Sequence, residues 1–180
     1  MTDGRTPVLL LTGLPDSGQD ALAARLPEGA AALRHAPAPH DHHHGPAGDG
    51  CPACQSAGPL AHALRSLALE RVRAARPLPL VLLALDDGAP AESAARTLSD
   101  DPFLAARYRP AATLCLLDAE AAHDQLDSDL RLPALVRRAD RLVLRGAAQL
   151  DAEWLRYLRN RLLALNPAAA ILDEAEALAV

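Results

Sequence analysis

The segment Val8-Leu9-Leu10-Leu11-Thr12-Gly13-Leu14-Pro15-Asp16-Ser17-Gly18-Gln19-Asp20 decides the fold. Its first five residues are an apolar run that ends at a glycine, which predicts a buried β-strand followed by a turn. Residues 20–26 then have a helical pattern, which Pro27 and Gly29 end. The chain is therefore expected to open with a strand, a glycine-containing turn and a helix.

Strands and helices are predicted to alternate along the rest of the chain. Further strands are expected at residues 31–35, 80–85, 112–117, 142–144 and 169–172. Helices are expected from residue 60 until the prolines at 77 and 79, over 91–109 in two pieces, and at 132–139 and 150–165. This order predicts an α/β fold of three layers, with a mostly parallel sheet and helices on both faces.

The composition limits the possible functions. The chain has 180 residues, half of them apolar, which suits a single domain spanning 1–180. All 18 basic residues are arginine, against 23 acids, so a phosphate-binding or Schiff-base lysine is excluded. The net charge of −5, with no basic run, disfavours nucleic-acid binding. No apolar run approaches the ~20 residues that span a bilayer, and no signal-peptide pattern is present, so we expect a cytoplasmic protein.

The turn after the first strand has the glycine spacing of a phosphate-binding loop, GxxxxGK[ST]. Gly13 and Gly18 hold the glycine positions, Gln19 the lysine position and Asp20 the Ser/Thr position. A neutral Gln cannot supply the charge of the lysine, and Asp16 and Asp20 add negative charge. We predict a degenerate nucleotide site, and its residues are Gly13, Asp16, Ser17, Gly18, Gln19, Asp20 and, from a later strand end, Asp86. The alternative is a strand-to-helix turn that binds nothing.

Residues 37–59 are rich in Pro and Gly and predict a long mobile loop. Imidazole and thiolate are the ligands that Zn²⁺ prefers, and a CxxC pair can chelate one ion from a turn. The candidate ligands are Cys51, Cys54, His40, His42, His43 and His44. Two alternatives are a solvated segment with incidental affinity for metal and a thioredoxin-like redox pair.

Three other residues have simpler interpretations. Cys115 lies inside an apolar strand, which predicts a buried side chain that packs as a small hydrophobic residue. Trp154 shares a helical stripe with Leu158 and Leu162, which predicts packing in the core. His123 is isolated in the sequence and is expected at the surface.

Taken together, these segments resemble the CobW family of P-loop GTPases, relatives of HypB and UreG. Residues 6–13 are similar to the opening PVTVLTG strand of that family, and 50–54 lie where it carries GCxCC. Residues 103–119 resemble the segment that ends in VVDA, 139–144 resemble ADRIVL, and 165–168 resemble LNPxA. The resemblance covers residues 6–172, which is nearly the whole chain.

The resemblance implies a GTP-hydrolysing metal chaperone for zinc or cobalt. However, the guanine-reading NKxD of the family is replaced by Arg145-Gly146-Ala147-Ala148, and its ETTG glutamate is absent from residues 85–88. The separate C-terminal domain of the family is not expected here. We therefore expect bound Zn²⁺ or Co²⁺, weak or no binding of GTP and Mg²⁺, and negligible turnover.

Two other functions remain open from the sequence. One is a GTPase with an unusual site, in which Asp20 and Asp86 hold Mg²⁺. The other is a non-catalytic interaction module that pairs with an active CobW-type partner. In the metal-binding interpretation the partners are the metal ion and a client metalloprotein, with no nucleic acid and no membrane.

Overall fold

The computed structural model describes residues 4–36, 58–86 and 89–178. Its strands are β1 (Thr6–Gly13), β2 (Ala31–His35), β3 (Val81–Leu85), β4 (Tyr108–Asp118), β5 (Arg141–Arg145) and β6 (Ala170–Asp173). Its helices are α1 (Gln19–Ala23), α2 (Pro59–Arg73), α3 (Ala91–Asp100), α4 (Pro102–Ala105), α5 (Ala122–Ser128), α6 (Arg131–Arg138) and α7 (Ala152–Leu165). A 3-10 turn, Ala147–Gln149, precedes α7.

The six strands form one sheet in the order β2-β3-β1-β4-β5-β6, and every neighbouring pair is parallel. Parallel neighbours need crossover connections, which the helices supply. The predicted α/β fold of the P-loop NTPase type is confirmed.

The core lies on both faces of β1, because successive side chains of a strand point to opposite faces. Val8 and Leu10 pack with residues of α2 and α3, whereas Leu9 and Leu11 pack with Leu22 of α1. A third cluster joins β4 and β5 to α5, α6 and α7. Burial on both faces explains why β1 and β3 are continuous apolar runs rather than alternating ones.

Side-chain oxygens fix the starts of two helices. Asp101 accepts hydrogen bonds from the backbone N–H groups of Phe103 and Leu104 at 2.9 and 3.2 Å, which caps α4. Asp151 accepts one from the N–H of Trp154 at 2.8 Å, which caps α7. None of the helices in the described ranges is both long and apolar enough to cross a membrane.

Four details of the predicted elements are wrong. The helical pattern expected as far as residue 109 ends at Ala105, and β4 begins at Tyr108, four residues before the expected start. Pairing of Tyr108 with Thr6 outweighs the local helical propensity there. The first helix ends at Ala23 rather than at residue 26, and α5 was not predicted.

Candidate functional site

The loop that follows β1 lies where the sheet topology reverses. The chain first builds β2 and β3 on one side of β1, and then places β4 on the other side. In open parallel sheets, ligands bind in the crevice at the carboxyl ends of the strands, at such a reversal. The fold therefore places Gly13 to Asp20 at the expected position of a ligand site.

The backbone of this loop is tight. A Cβ at Gly13 would lie 2.6 Å from Ser17 Oγ and 2.9 Å from the carbonyl oxygen of Leu116, so no side chain fits there. Asp16 and Gly18 have positive φ angles of 64° and 97°. Ser17 is buried, and its Oγ has no hydrogen-bond partner in the part of the chain that the structure describes. The glycine spacing predicted from the sequence thus corresponds to a compact turn.

A guanidinium joins the two carboxylates predicted as magnesium ligands. Arg34, in β2, donates from Nη2 to Asp20 Oδ1 at 2.9 Å, and its Nε lies 3.4 Å from Asp86 Oδ1. Asp20 lies in the first turn of α1, and Asp86 directly follows β3. We call this three-residue arrangement the Arg34 bridge. It places a fixed cation between the two acids.

The loop and the Arg34 bridge enclose a cleft of about 530 Å³, which we call the loop cleft. It is lined by Gly13, Leu14, Pro15, Asp16, Gly18, Gln19, Asp20, Arg34 and Asp86. Three of these side chains are carboxylates and one is a guanidinium. The lining is therefore net negative, which disfavours an anionic ligand.

A second arginine lies against the loop from the other side. Arg145 ends β5 beside Asp118 of β4, because the two residues are register partners in the sheet. Its Nη2 donates to Asp118 Oδ2. A Cβ at Gly18 would lie 2.6 Å from Cδ and Nε of Arg145, so the arginine packs directly across the glycine. Arg145 thus fills space that a larger residue at position 18 would need.

Arg145 also borders a second cleft of about 600 Å³. The charged residues around it are Arg25, Arg145, Asp118, Glu120 and Glu174. Arg25 and Glu174 form an ion pair of 3.3 Å at one side. This cleft is also lined by more acids than bases.

His35 ends β2 beside the Arg34 bridge. Burial lowers the pKa of this imidazole, and the nearby Asp86 carboxylate partly opposes that effect. The backbone N–H of Asp86 donates to the carbonyl of His35 at 2.9 Å. Burial thus favours the neutral form of His35.

The predicted metal ligands are not among the described residues. Cys51, Cys54 and the histidines at 40 and 42–44 lie outside the described residues, as do positions 37–57 of the predicted loop. Within the described ranges, no group of three or more His, Cys, Asp or Glu side chains is arranged to hold a metal ion.

The other predictions had mixed outcomes. Cys115 is fully buried, as predicted, and burial raises the pKa of its thiol to about 12, which disfavours the reactive thiolate. Trp154 is only half-buried and packs against His123 and Tyr157, with ring centroids 4.9 and 5.7 Å away. The prediction of core packing for Trp154 is wrong, because α5, which the sequence did not reveal, brings His123 to it.

Sequence reasoning missed Arg34 and Arg145 as site residues. Both lie at the carboxyl ends of strands, in β2 and β5. This position could have identified them as candidate site residues, because the carboxyl ends of parallel strands border the same crevice. Their choice of partners depends on long-range pairing, which the sequence does not display.

Two solved structures share this fold. The crystal structure of Zn(II)-bound YjiA GTPase from E. coli is 19% identical, with a TM-score of 0.66, and the match covers 93% of this chain and 57% of that chain. A Zn(II)-bound triple mutant of YjiA GTPase, with one Glu and two Cys changed to Ala, is 18% identical, with a TM-score of 0.68 and coverages of 94% and 57%. No family model matches, and no curated protein matches.

The fold defines a class, the P-loop NTPase-like α/β domain. Within that class it is the fold of YjiA, a CobW-family GTPase, so the resemblance found in the sequence is confirmed at the level of the fold. The chain spans about 57% of the length of those neighbours.

Proposed function

We propose that this chain is a CobW-like metal-binding protein, a zinc or cobalt metallochaperone on a GTPase-type domain with a degenerate nucleotide site. In this proposal residues 1–180 act as a single cytoplasmic domain. The ion is passed to a client metalloprotein or to a CobW-type partner.

The charge of the loop cleft carries the proposal. A nucleoside triphosphate is strongly anionic, whereas this lining has three carboxylates against the single guanidinium of Arg34. The lysine position holds Gln19, and a hydrogen bond to a charged group is worth about 1.5–3 kcal/mol. The residues present therefore do not fit a magnesium–triphosphate complex, and we derive no hydrolytic step through one.

The Arg34 bridge supports the same conclusion for magnesium. Asp20 and Asp86 each already face a cation, at 2.9 and 3.4 Å. A divalent ion would have to displace the guanidinium and would leave Arg34 without its two acids. The arrangement therefore disfavours the binding of a divalent ion between Asp20 and Asp86.

The residues around the second cleft support the proposal that guanine recognition is weak. The Asp of an NKxD motif accepts two N–H groups of guanine, and the corresponding segment here is Arg145 to Ala148. Asp118 is paired with Arg145, and its Oδ1 accepts from the N–H of Glu120 at 3.1 Å. No carboxylate of residues 145–148 is available to select guanine.

The metal half of the proposal depends on the chemistry of the donor set. Two thiols and four imidazoles lie within residues 40–54, and both are preferred zinc ligands. The two fold neighbours were solved with Zn(II) bound. We propose that Cys51 and Cys54, with one or more of His40, His42, His43 and His44, hold the ion.

Competition with a chromophoric chelator tests this assignment. Tag-free, reduced protein is expected to withdraw Zn²⁺ from the chelator, and the Cys51→Ser/Cys54→Ser variant is expected to lose most of that affinity. Cys115→Ser is the matched control, because this thiol is buried in the core and should leave zinc affinity unchanged. Equal affinity in the wild type and the double variant would contradict the proposal.

One observation favours a second function, a GTPase with an unusual magnesium site. Asp20 and Asp86 converge on one point, which Arg34 occupies. If GTP or Mg²⁺ moved Arg34 aside, the two carboxylates would face the ion. GTP turnover that is abolished in Asp20→Ala would establish this function in place of a degenerate site.

A further inference from the structure

A third concavity lies at the amino ends of the strands, at the opposite end of the sheet from the loop cleft. It is about 390 Å³ in volume, within the range of small-ligand sites. It is formed where α2 ends and where β1 and β4 begin, so it is far along the strands from the β1 turn. We call it the amino-edge pocket.

Among the described residues, the charged side chains that line the amino-edge pocket are all basic. Arg71, Arg76 and Arg107 line it, and none of the acidic residues that the structure describes does. In the described parts of the chain, none of these three guanidinium groups pairs with a carboxylate. Three arginines without a carboxylate partner among the described residues thus surround one concavity, in a chain whose net charge is −5.

The end of α2 positions two of the arginines. The N–H of Arg76 donates to the carbonyl of Arg71 at 3.1 Å, and the N–H of Ala75 donates to that of Val72 at 3.1 Å. Ala75 has a left-handed φ of 48°. Together these features form a Schellman motif, which reverses the chain and fixes the backbone of Arg76 beside that of Arg71.

The side chains of Arg107 and Arg71 are also oriented by contacts that use only some of their guanidinium N–H groups. The guanidinium of Arg107 lies 3.8 Å from the ring centroid of Phe103, and its Nη1 donates to the Phe103 carbonyl at 3.1 Å. Arg71 Nη2 lies 3.5 Å from the carbonyl of Ala30. Each arginine therefore keeps donors for a ligand while its position is restricted.

The remaining polar groups of the pocket are satisfied internally. Thr6 Oγ1 donates to the Leu78 carbonyl, and the buried Tyr108 hydroxyl donates to the Leu64 carbonyl, both at 3.0 Å. Beside them lie apolar side chains, including Val72, which is 71% exposed. The pocket thus combines a cationic rim with an apolar wall.

We propose that the amino-edge pocket binds a small organic phosphate monoester. Guanidinium groups bind phosphate in a bidentate manner, and a phosphate carries close to two charges and three acceptor oxygens, which three arginines can share. The organic part of the ligand packs on Val72 and Leu78. None of the described residues that line this pocket also lines the loop cleft, and none of them is a predicted metal ligand.

Amide NMR titrations test the proposal with three probes: phenyl phosphate, inorganic phosphate and uncharged phenol. Phenyl phosphate is expected to shift amides of residues 68–78 and 106–108, inorganic phosphate to do so more weakly, and phenol not at all. Arg76→Gln/Arg107→Gln is expected to weaken phenyl phosphate binding at least tenfold. Arg156→Gln/Arg159→Gln, on the exposed face of α7, is the matched control and should bind as the wild type does.

A second variant keeps the test independent of the arginines. Val72→Glu adds a carboxylate to the apolar wall at an exposed position, so it should fold normally and lose binding. Absence of shifts in the wild type, or shifts that persist in both the arginine and the Val72 variants, would overturn the proposal. So would shifts that map to residues 13–20, or binding of a polyglutamate peptide but not of phenyl phosphate.

Discussion

At the scale of single residues, Arg34 decides what the loop cleft can hold. It places a positive charge beside the carboxylates of Asp20 and Asp86. In our proposal this charge stands where a GTPase site would have a lysine and a metal ion. Its side chain is half exposed, so the interaction contributes little to stability. The importance of Arg34 therefore lies in which ligands it excludes.

Replacing Arg34 tests this role. In Arg34→Ala, Asp20 and Asp86 lose their shared cation, so we expect divalent ions to bind more tightly than in the wild type. Paramagnetic broadening of the Asp20 and Asp86 amides by Mn²⁺ would report the binding. The free energy of unfolding should fall by no more than about 1 kcal/mol. Arg156→Ala is the control, and equal Mn²⁺ broadening in all three proteins would contradict this role.

The backbone conformation of Ala75 lowers the stability of the folded protein. This residue has a left-handed φ of 48° at an exposed position, which costs a non-glycine residue about 1–2 kcal/mol. Ala75→Gly should therefore raise the free energy of unfolding by roughly 1 kcal/mol in urea denaturation. Ala74→Gly, one residue earlier in a right-handed conformation, should lower it instead. Equal effects of the two substitutions would contradict this explanation.

The residues of the site were only partly predictable. The glycine spacing identified Gly13 and Gly18, because a tight turn leaves a pattern in the local sequence. The roles of Arg34 and Arg145 were hidden, because each depends on a partner that another strand delivers, Asp86 in one case and Asp118 in the other.

At the scale of elements, Asn166 connects the ends of α6 and α7. Its side-chain Nδ2 donates to the carbonyls of Val136 and Ala139 at 2.8 and 2.9 Å, and its Oδ1 accepts from the N–H of Ala168 at 3.2 Å. The last carbonyls of a helix lack partners within the helix, so Asn166 caps α6 from a distance. The segment that resembles LNPxA therefore has a structural role here.

Substitution of Asn166 should be costly. Asn166→Ala leaves buried carbonyls without donors and should lower the free energy of unfolding by about 2–3 kcal/mol, measured in urea. Asn166→Asp should not rescue stability, because a carboxylate cannot donate. Asn160→Ala, exposed on the same helix, should change it by less than about 0.5 kcal/mol. A stable Asn166→Asp protein would show that donation to these carbonyls is not the cause.

His35 makes the edge strand β2 sensitive to acid. Burial lowers its pKa in the folded protein below the ordinary value of 6.5, so the folded state binds this proton less readily than the unfolded state. Neutral His35 therefore contributes to the free energy of unfolding above pH 6.5. This contribution is lost as the pH falls through 6.5 toward the lower pKa of the folded state.

The His35→Gln variant isolates this effect. Urea unfolding at about pH 7.5 and about pH 5.5 should show a smaller acid-induced loss of stability in His35→Gln than in the wild type. His62→Gln is the control, since this residue is exposed on α2. An unchanged difference between the two pH values in His35→Gln would contradict the assignment.

Elements with strong patterns were predictable, and those fixed by tertiary pairing were not. β1 and β3 are continuous apolar runs, and β2 was predicted with its observed bounds. The start of β4 was missed because Arg107 to Arg109 carry no apolar run, and pairing with β1 determines their conformation. Helix α5 buries only Ala122 and Leu126, which is too few positions to produce a visible period.

At the scale of the whole molecule, the two edges of the sheet have opposite electrostatic character. The loop cleft at the carboxyl edge is net negative, whereas three arginines and no acid of the described residues line the amino-edge pocket. A domain of the GTPase type normally directs its anion-binding groups to the carboxyl edge. The net negative charge at the carboxyl edge of this chain supports our proposal of a degenerate nucleotide site on a metal-binding protein.

A calorimetric zinc titration of tag-free, reduced protein, with and without GTP and Mg²⁺, tests the central claim most directly. We expect stoichiometric zinc binding that is lost in Cys51→Ser/Cys54→Ser and is the same in the presence of GTP and Mg²⁺. No specific zinc binding, or binding that requires GTP and Mg²⁺, would contradict a metal-binding protein with a degenerate nucleotide site.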